Sequence, residues 1–421
     1  MNISRKHSRA VGIVAAASAL ALVVAGCSAR DDGGDGDGDG AASSPGITDD
    51  SITLGITTPL SGATAGPGTC TVAGVTAYFG AVNAAGGVEF GDGVTRTVEI
   101  ETYDDAYDPQ QSLANFQQMV ADDVFAVTAG LGTPTNRAFR EAAIDEEVPQ
   151  VLVMTGDPLF SDREESPWQL GFVPIYQNEG AAFGELLATS TEEHKVAILS
   201  QNDDYGEGYV EGFKEAIEGA DNIEIVGELT YEATDTSVDA QLTELAGTGA
   251  DVFFNAMSIT PLVISSLQKT QELGWLPSWF LPSNTSSPTA ILQPGNATAF
   301  PGVYSVSFSK APASPAFAED EDVQTFLSDL AEYADYPDMP AFPHCMWSYM
   351  VGATLEQAFQ NMTEPTRENF LAALNDISDF QAPLMLDGTY VDTTVDGQPA
   401  VSTVIVQKYN GTGYSNAETF E

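Results

Sequence analysis

From Ser51 onward the chain alternates strand-like and helix-like runs, and this alternation limits the available folds more than any other feature. Ile52, Leu54 and Ile56 alternate with polar residues, the period-two pattern of a strand. Val72, Val75, Phe79 and Val82 then recur at helical spacing, and Gly86 and Gly87 close that helix because glycine turns left-handed freely. Val98 and Ile100 mark a second strand. Asp108 followed by Pro109 opens a second helix, an N-cap with proline in the first turn, which carries Leu113, Phe116, Met119 and Val120. Strands at 124–128 and 149–154 flank a helix from about Pro134 to Glu146. The pattern then repeats, with helices at 178–189, 208–218, 237–246 and 261–273 between strands at 195–200, 223–230, 251–256 and 279–281. The order predicts an α/β protein with two doubly wound parallel-sheet lobes, helices on both faces of each.

In such sheets a ligand sits beyond the carboxyl ends of the strands. The loops there are 58–69, 129–136 and 154–158 in the first half, and 201–208, 257–260 and 282–285 in the second. They combine Gly, Ser, Thr and Asn with helix N-termini, where glycine admits close approach and free N–H groups favour an anion. Any one of them also reads as a plain helix entry; the set at corresponding strand ends is what points to a cleft. Arg137, just after Asn136, is the cation nearest these loops in sequence.

The N-terminus addresses the chain to the outside of a membrane. Arg5, Lys6 and Arg9 precede an apolar run from Val11 to Ala25 that is about 15 residues long, short of the roughly 20 needed to span. The run ends Val24-Ala25-Gly26-Cys27, which resembles a bacterial lipobox, in which the cysteine is acylated and becomes the new N-terminus. The expected boundaries are a signal peptide over 1–26 and an acylated Cys27 with a flexible Gly/Asp tether to 47. Asp35 to Gly40 imitates the start of a calcium loop, but Gly46 stands where the bidentate glutamate belongs.

The chain has 14 Lys and Arg against 61 Asp and Glu. Cleavage before Cys27 removes three bases and no acid, so the mature net charge is 11 − 61 = −50. Such acidity disfavours nucleic acid and anionic lipid as partners. Cys70 and Cys345 remain as an even pair in an oxidising compartment, either disulfide-bonded or two separate buried thiols.

Several segments together are similar to one family. Ile52–Gly62 (ITLGITTPLSG), Val82–Val88 (VNAAGGV), Tyr103–Pro109 (YDDAYDP), Leu131–Asn136 (LGTPTN), Val148-Pro149-Gln150, Thr155-Gly156, Gln201–Gly206 (QNDDYG) and Tyr231–Asp235 (YEATD) follow in the order found in type I extracytoplasmic substrate-binding proteins of ABC importers, the leucine/isoleucine/valine-binding family. The resemblance covers 50–421. It implies a monomer of two lobes, 48–172 plus 307–382 and 173–305 plus 384–421, crossing near 170–175, 303–308 and 382–386. It implies that Gly132, Thr133, Thr155 and Gly156 grip the ligand carboxylate and amine. Tyr205 packs on the ligand, and Ser258, Ser283 and Asn284 complete the second wall. The partners it implies are a small amino-acid-like solute or carboxylate, a membrane permease and its ATPase. No cofactor or metal is expected, and a sensory lipoprotein of the same fold is the alternative.

One departure concerns the ligand. Amino-acid binders of this family carry an acid after the proline that Pro282 resembles; here the residue is Ser283. A desolvated ammonium without an opposing carboxylate is poorly compensated, so the ligand is expected to lack the α-amino group unless Asp157 or Asp203 supplies the charge. Pro67 also stands where these proteins often have an aromatic residue. An enzyme is not expected. His194 and His344 are the only histidines after the signal, and His344 and Cys345, adjacent on a helix, do not face each other. Asp104-Asp105 reads as a structural loop. No nucleophile elbow, HExxH, Walker loop or paired CxxC is present.

Overall fold

The computed structural model describes residues 43–420. The signal peptide, Cys27 and most of the tether lie outside the described residues. The first sheet contains β1 (Ser51–Thr58), β2 (Val88–Glu89), β3 (Thr95–Asp104), β4 (Ala126–Thr128), β5 (Gln150–Val153) and β6 (Gln169–Gly171), in the order β2-β3-β1-β4-β5-β6. The second contains β7 (His194–Gln201), β8 (Ile223–Tyr231), β9 (Val252–Ala256), β10 (Ser278–Phe280), β11 (Val303–Ser307), β12 (Ile405–Tyr409) and β13 (Tyr414–Asn416), in the order β13-β12-β11-β10-β9-β7-β8. The central pairings are parallel and only the edges, β2 with β3 and β11 with β12 and β13, run antiparallel. This is the doubly wound arrangement, built twice.

The helices of the first half are α1 (Ala65–Ala84), α2 (Pro109–Ala121) and α3 (Thr133–Asp145). Those of the second are α4 (Tyr176–Ala188), α5 (Asp204–Ala216), α6 (Asp239–Ala246) and α7 (Thr260–Glu272). Then α8 (Glu321–Tyr333), α9 (His344–Asn361) and α10 (Arg367–Leu374) return to the first lobe, where Phe326, Leu355 and Phe370 join the core around Leu54 and Phe79. Cys70 of α1 and Cys345 of α9 form a disulfide. Beside it Gly74 lets the two helices touch, for a Cβ there would lie 2.2 Å from the Cys345 carbonyl oxygen.

Three expectations are corrected here. The first helix begins at Ala65, ahead of Val72, because a proline without an N–H is tolerated in a first turn and Gly68 packs where a Cβ would lie 1.9 Å from the Pro59 carbonyl oxygen. The tether ends before 47. Ser44 donates its N–H to the Pro365 carbonyl (2.9 Å), its hydroxyl accepts from the Arg367 N–H (3.0 Å), and Ile47 is buried in the first core. The third crossing lies ahead of Ile405, not near 382–386. Residues 377–401 stay with the first lobe, with Val391 and Val401 in its core, while the Ala400 and Val401 N–H groups donate to Gly171 and Phe172 (both 2.9 Å). That segment covers the open edge of β6, a backbone need that side-chain periodicity does not report.

Candidate functional site

A cleft of about 580 Å³, mouth included, lies between the lobes at the carboxyl ends of both sheets. Gly132 and Thr133 at the start of α3 and Tyr107 after β3 wall it from the first lobe. Ala106 (φ 51°) and Tyr107 (φ 63°) occupy the left-handed region, which turns the tyrosine into the cleft. Asp105 holds this turn through Thr57 Oγ1 (3.1 Å) and the Tyr107 N–H (2.9 Å), and burial pushes its carboxyl up to about 6. Asp104 in turn accepts the Leu60 and Ala106 N–H groups (both 2.8 Å), so both aspartates hold this loop. The Tyr107 hydroxyl meets Ser258 and Gln201 across the cleft.

The hydroxyls of Thr133, Thr155 and Tyr176 form a closed triangle with sides of 2.9 to 3.0 Å. Tyr176 follows the first crossing, so the triangle joins the hinge to the first lobe. Thr155 and Gly156 do not line the cleft. The first stands behind Thr133, and the Gly156 carbonyl accepts the Tyr176 N–H (3.0 Å). Gly132, Thr133, Tyr205, Ser258, Ser283 and Asn284 do line it. The Tyr205 hydroxyl donates to Asn284 Oδ1 (3.0 Å), and its ring meets Tyr176 edge-on at 4.8 Å.

Among the cleft residues that sequence reasoning missed, the acid is Glu179. It sits in the first turn of α4, 1% exposed, and lines the cleft. The Ser283 hydroxyl donates to its Oε1 (2.7 Å); the Ser283 N–H (3.1 Å) and the Tyr209 hydroxyl (3.0 Å) donate to its Oε2. Burial outweighs these three bonds and raises the carboxyl from its ordinary 4.5 to about 7. Ser283 therefore does not leave its wall without an acid; it holds one brought from another helix.

Helix contact explains the placement. A Cβ on Gly180 would lie 2.2 Å from the Tyr209 carbonyl oxygen, and one on Gly212 would lie 2.0 Å from that of Gln177. These reciprocal glycines bring α4 and α5 together and set Glu179 beside Tyr209. Gly180→Ala should therefore cost about 1–3 kcal/mol through overpacking. It should also weaken ligand binding by moving Glu179, as read by thermal melting and calorimetry on one preparation. An unchanged melting temperature and affinity would show that the contact tolerates a methyl group.

The two acids expected as alternatives are engaged elsewhere. Asp157 receives the Arg137 guanidinium, and Asp203 caps α5 through the Tyr205 (3.1 Å) and Gly206 (3.3 Å) N–H groups. Neither lines the cleft. Arg137 also reaches Asp204 of the second lobe at 2.7 Å, so it ties the lobes together rather than facing a ligand. Among the described residues, no lysine or arginine lines the cleft.

His344 and Trp347, on the first two turns of α9, complete the wall. Burial holds the imidazole neutral, down to about 3, and its Nδ1 has no hydrogen-bond partner among the described residues. A signal for its position existed in the sequence only as a helix start. His194, by contrast, bonds Asp251 (2.7 Å) and Ser190 (2.8 Å) away from the cleft.

Two lobes with three crossings and a cleft walled by apolar side chains, hydroxyls and one buried carboxyl group are the architecture of proteins that close on a small solute. The periplasmic binding protein family model matches residues 51–413, and the chain belongs to that family, in its type I architecture. Its members are extracytoplasmic solute-binding proteins that work with ABC transporters and take small amino acids or carboxylates. A Leu/Ile/Val-binding protein homolog of Brucella melitensis is 27% identical over 210 residues, 48% of this chain and 53% of that protein. The chain thus matches about half the length of this curated relative. Among solved structures, a fatty acid ABC transporter substrate-binding protein of Thermomonospora curvata superposes with TM-score 0.76 at 20% identity, over 90% of this chain and 95% of that one. A branched-chain amino acid transporter substrate-binding protein of Streptococcus pneumoniae, in complex with isoleucine, gives 0.69 at 19% identity over 88% and 99%. At these identities the structures speak to the fold.

Proposed function

We propose that the chain is the lipid-anchored solute receptor of an ABC importer, and that its solute is amino-acid-like, with the amine seated against Glu179. The observation that carries the ligand class is a buried carboxyl group in a cleft whose wall, among the described residues, holds no lysine or arginine. A buried charge is stable when paired, and an ammonium group from the ligand is the missing partner. The Thr133 and Tyr176 hydroxyls would receive a carboxylate by turning out of their triangle, while Ser258 Oγ stays with Gln201 Oε1 (2.6 Å). This reverses the expectation drawn from Ser283 alone. Closure over the ligand shifts an open–closed equilibrium, because only a solute touching both lobes favours the closed form. The closed receptor then docks on the permease.

Calorimetric titration of ligand-stripped protein with leucine, valine, their 2-keto acids and benzoate tests the reading. Binding by the amines and not the keto acids is expected. The reverse order would sink the Glu179 assignment. Acylation at Cys27 would keep the receptor near its permease on a tether of about 15–20 residues, raising effective concentration. Cys27→Ala should release the protein into the medium with unchanged ligand affinity, read by fractionation and titration. Retention in the membrane would refute the anchor.

A further inference from the structure

Beside the cleft, between the same two lobes, lies a second space of about 600 Å³, its open mouth included. Ser283 and Trp347 line both spaces, so the partition is one side chain thick. The first lobe contributes Ala313, Phe342 and Met346 to this chamber, and the second contributes Pro288 and Val306. Among the described residues, no charged side chain lines it.

Its many hydroxyls are largely spent on the backbone. Ser286 Oγ donates to the Ser283 carbonyl (2.9 Å), Ser307 Oγ to that of Ser309 (3.0 Å), and the Tyr414 hydroxyl to that of Ser286 (2.7 Å). Ser287 Oγ donates to the Ala341 carbonyl, a bond between the lobes. The surface left facing the space is mainly proline, alanine, valine, methionine and phenylalanine.

Charge is therefore divided sharply along the interlobe space. The cleft holds Glu179, bonded to Ser283, and the chamber beyond Ser283 is neutral. A charged group has no partner in the chamber, whereas the cleft offers Glu179 set among mainly apolar side chains such as Leu131, Met154 and Val173. Trp347 stacks on Phe308 at 5.2 Å, and its Nε1–H reaches Ser309 Oγ at 3.3 Å, a long bond for a buried indole. The two spaces meet at that side chain and at Ser283.

We infer that this chamber receives the apolar tail of a solute whose charged end lies in the cleft, so the ligand extends past a branched-chain amino acid side chain. The inference rests on the solute-binding reading above and adds the length and polarity of the far end. Because both lobes build the chamber, closure clamps the tail as well as the head.

Two homologous series titrated into ligand-stripped protein test it: 2-aminopentanoate to 2-aminodecanoate, and pentanoate to decanoate. The expected result is a rise in affinity of about fourfold per added methylene over several carbons. Ala313→Phe, which fills the chamber, should flatten the rise and leave the shortest member's affinity unchanged. Ala311→Phe repeats the test should the first variant fail to fold, as judged by its melting curve. Affinity that peaks at five carbons and falls identically in wild type and variants would overturn the tail chamber while leaving the amine reading intact. A rise confined to the simple carboxylates would support the chamber and overturn the amine reading. Silence across both series would overturn the head-group assignment and the chamber with it.

Discussion

Glu179→Gln is expected to weaken binding of an amine-bearing ligand about a hundredfold or more, while a ligand lacking the amine loses little. Removing one partner of a buried, hydrogen-bonded charge pair costs about 2–5 kcal/mol. The substitution is nearly isosteric: Ser283 Oγ can rotate to accept from the new amide, while the amide oxygen takes the Ser283 N–H and the Tyr209 hydroxyl that Oε2 now accepts. A large loss would thus report charge and not collapse of the wall. The pH dependence gives a second reading. The carboxyl titrates near 7, and an ammonium prefers the ionised form. Wild-type affinity should therefore fall about tenfold per pH unit below that point, while the glutamine variant stays flat. Stability without ligand moves the other way. A carboxyl raised from 4.5 to about 7 stabilises the fold in its protonated form, so its contribution is full below 4.5 and is lost as pH rises through 7. The variant should then be more stable than wild type at pH 8, by on the order of 3 kcal/mol, and the two should converge near pH 4. Equal amine affinity in both proteins at pH 8 would show that Glu179 does not meet the ligand.

Removing the Cys70–Cys345 disulfide is expected to lower the melting temperature by about 5–10 °C. The bond spans 275 residues of chain, and cross-links of long loops contribute about 2–5 kcal/mol by restricting the unfolded state. It also joins α1 to the N-terminus of α9, whose next turn carries Trp347 into the cleft wall. The Cys70→Ser/Cys345→Ser variant should therefore lose some ligand affinity as well as stability. Differential scanning calorimetry with and without a reductant separates the causes. Reductant should lower the wild-type transition toward that of the variant and leave the variant unmoved. A variant melting with wild type would mean that the packing around Gly74 holds these helices without the bond.

Much of the fold was legible because its elements are locally determined. The alternation of Ile52, Leu54 and Ile56, the Asp108–Pro109 start, and the glycines at 86 and 87 each act within a few residues. So do the loops at the strand ends, and within them the family resemblance picked out Gly132, Thr133, Tyr205, Ser258, Ser283 and Asn284, which line the cleft, together with Thr155 and Gly156, which do not. Tyr107 was harder, since its entry depends on two non-glycine residues turning left-handed around buried Asp105.

The sequence by itself determined two doubly wound lobes, a cleft at their facing strand ends, and a serine where an acid was expected. Tertiary structure alone decided what that serine means. Ser283 and Glu179 are 104 residues apart; the turn after β10 brings the serine to α4, while Gly180 and Gly212 let α5 set Tyr209 against the same carboxyl group. The same holds for His344 and Trp347, which a return crossing carries into the cleft, and for residues 377–401, which stay to cover the β6 edge. Local periodicity records which face of an element is buried. Which side chain fills a given wall depends on how distant elements pack, and in this cleft that packing sets the charge offered to the solute.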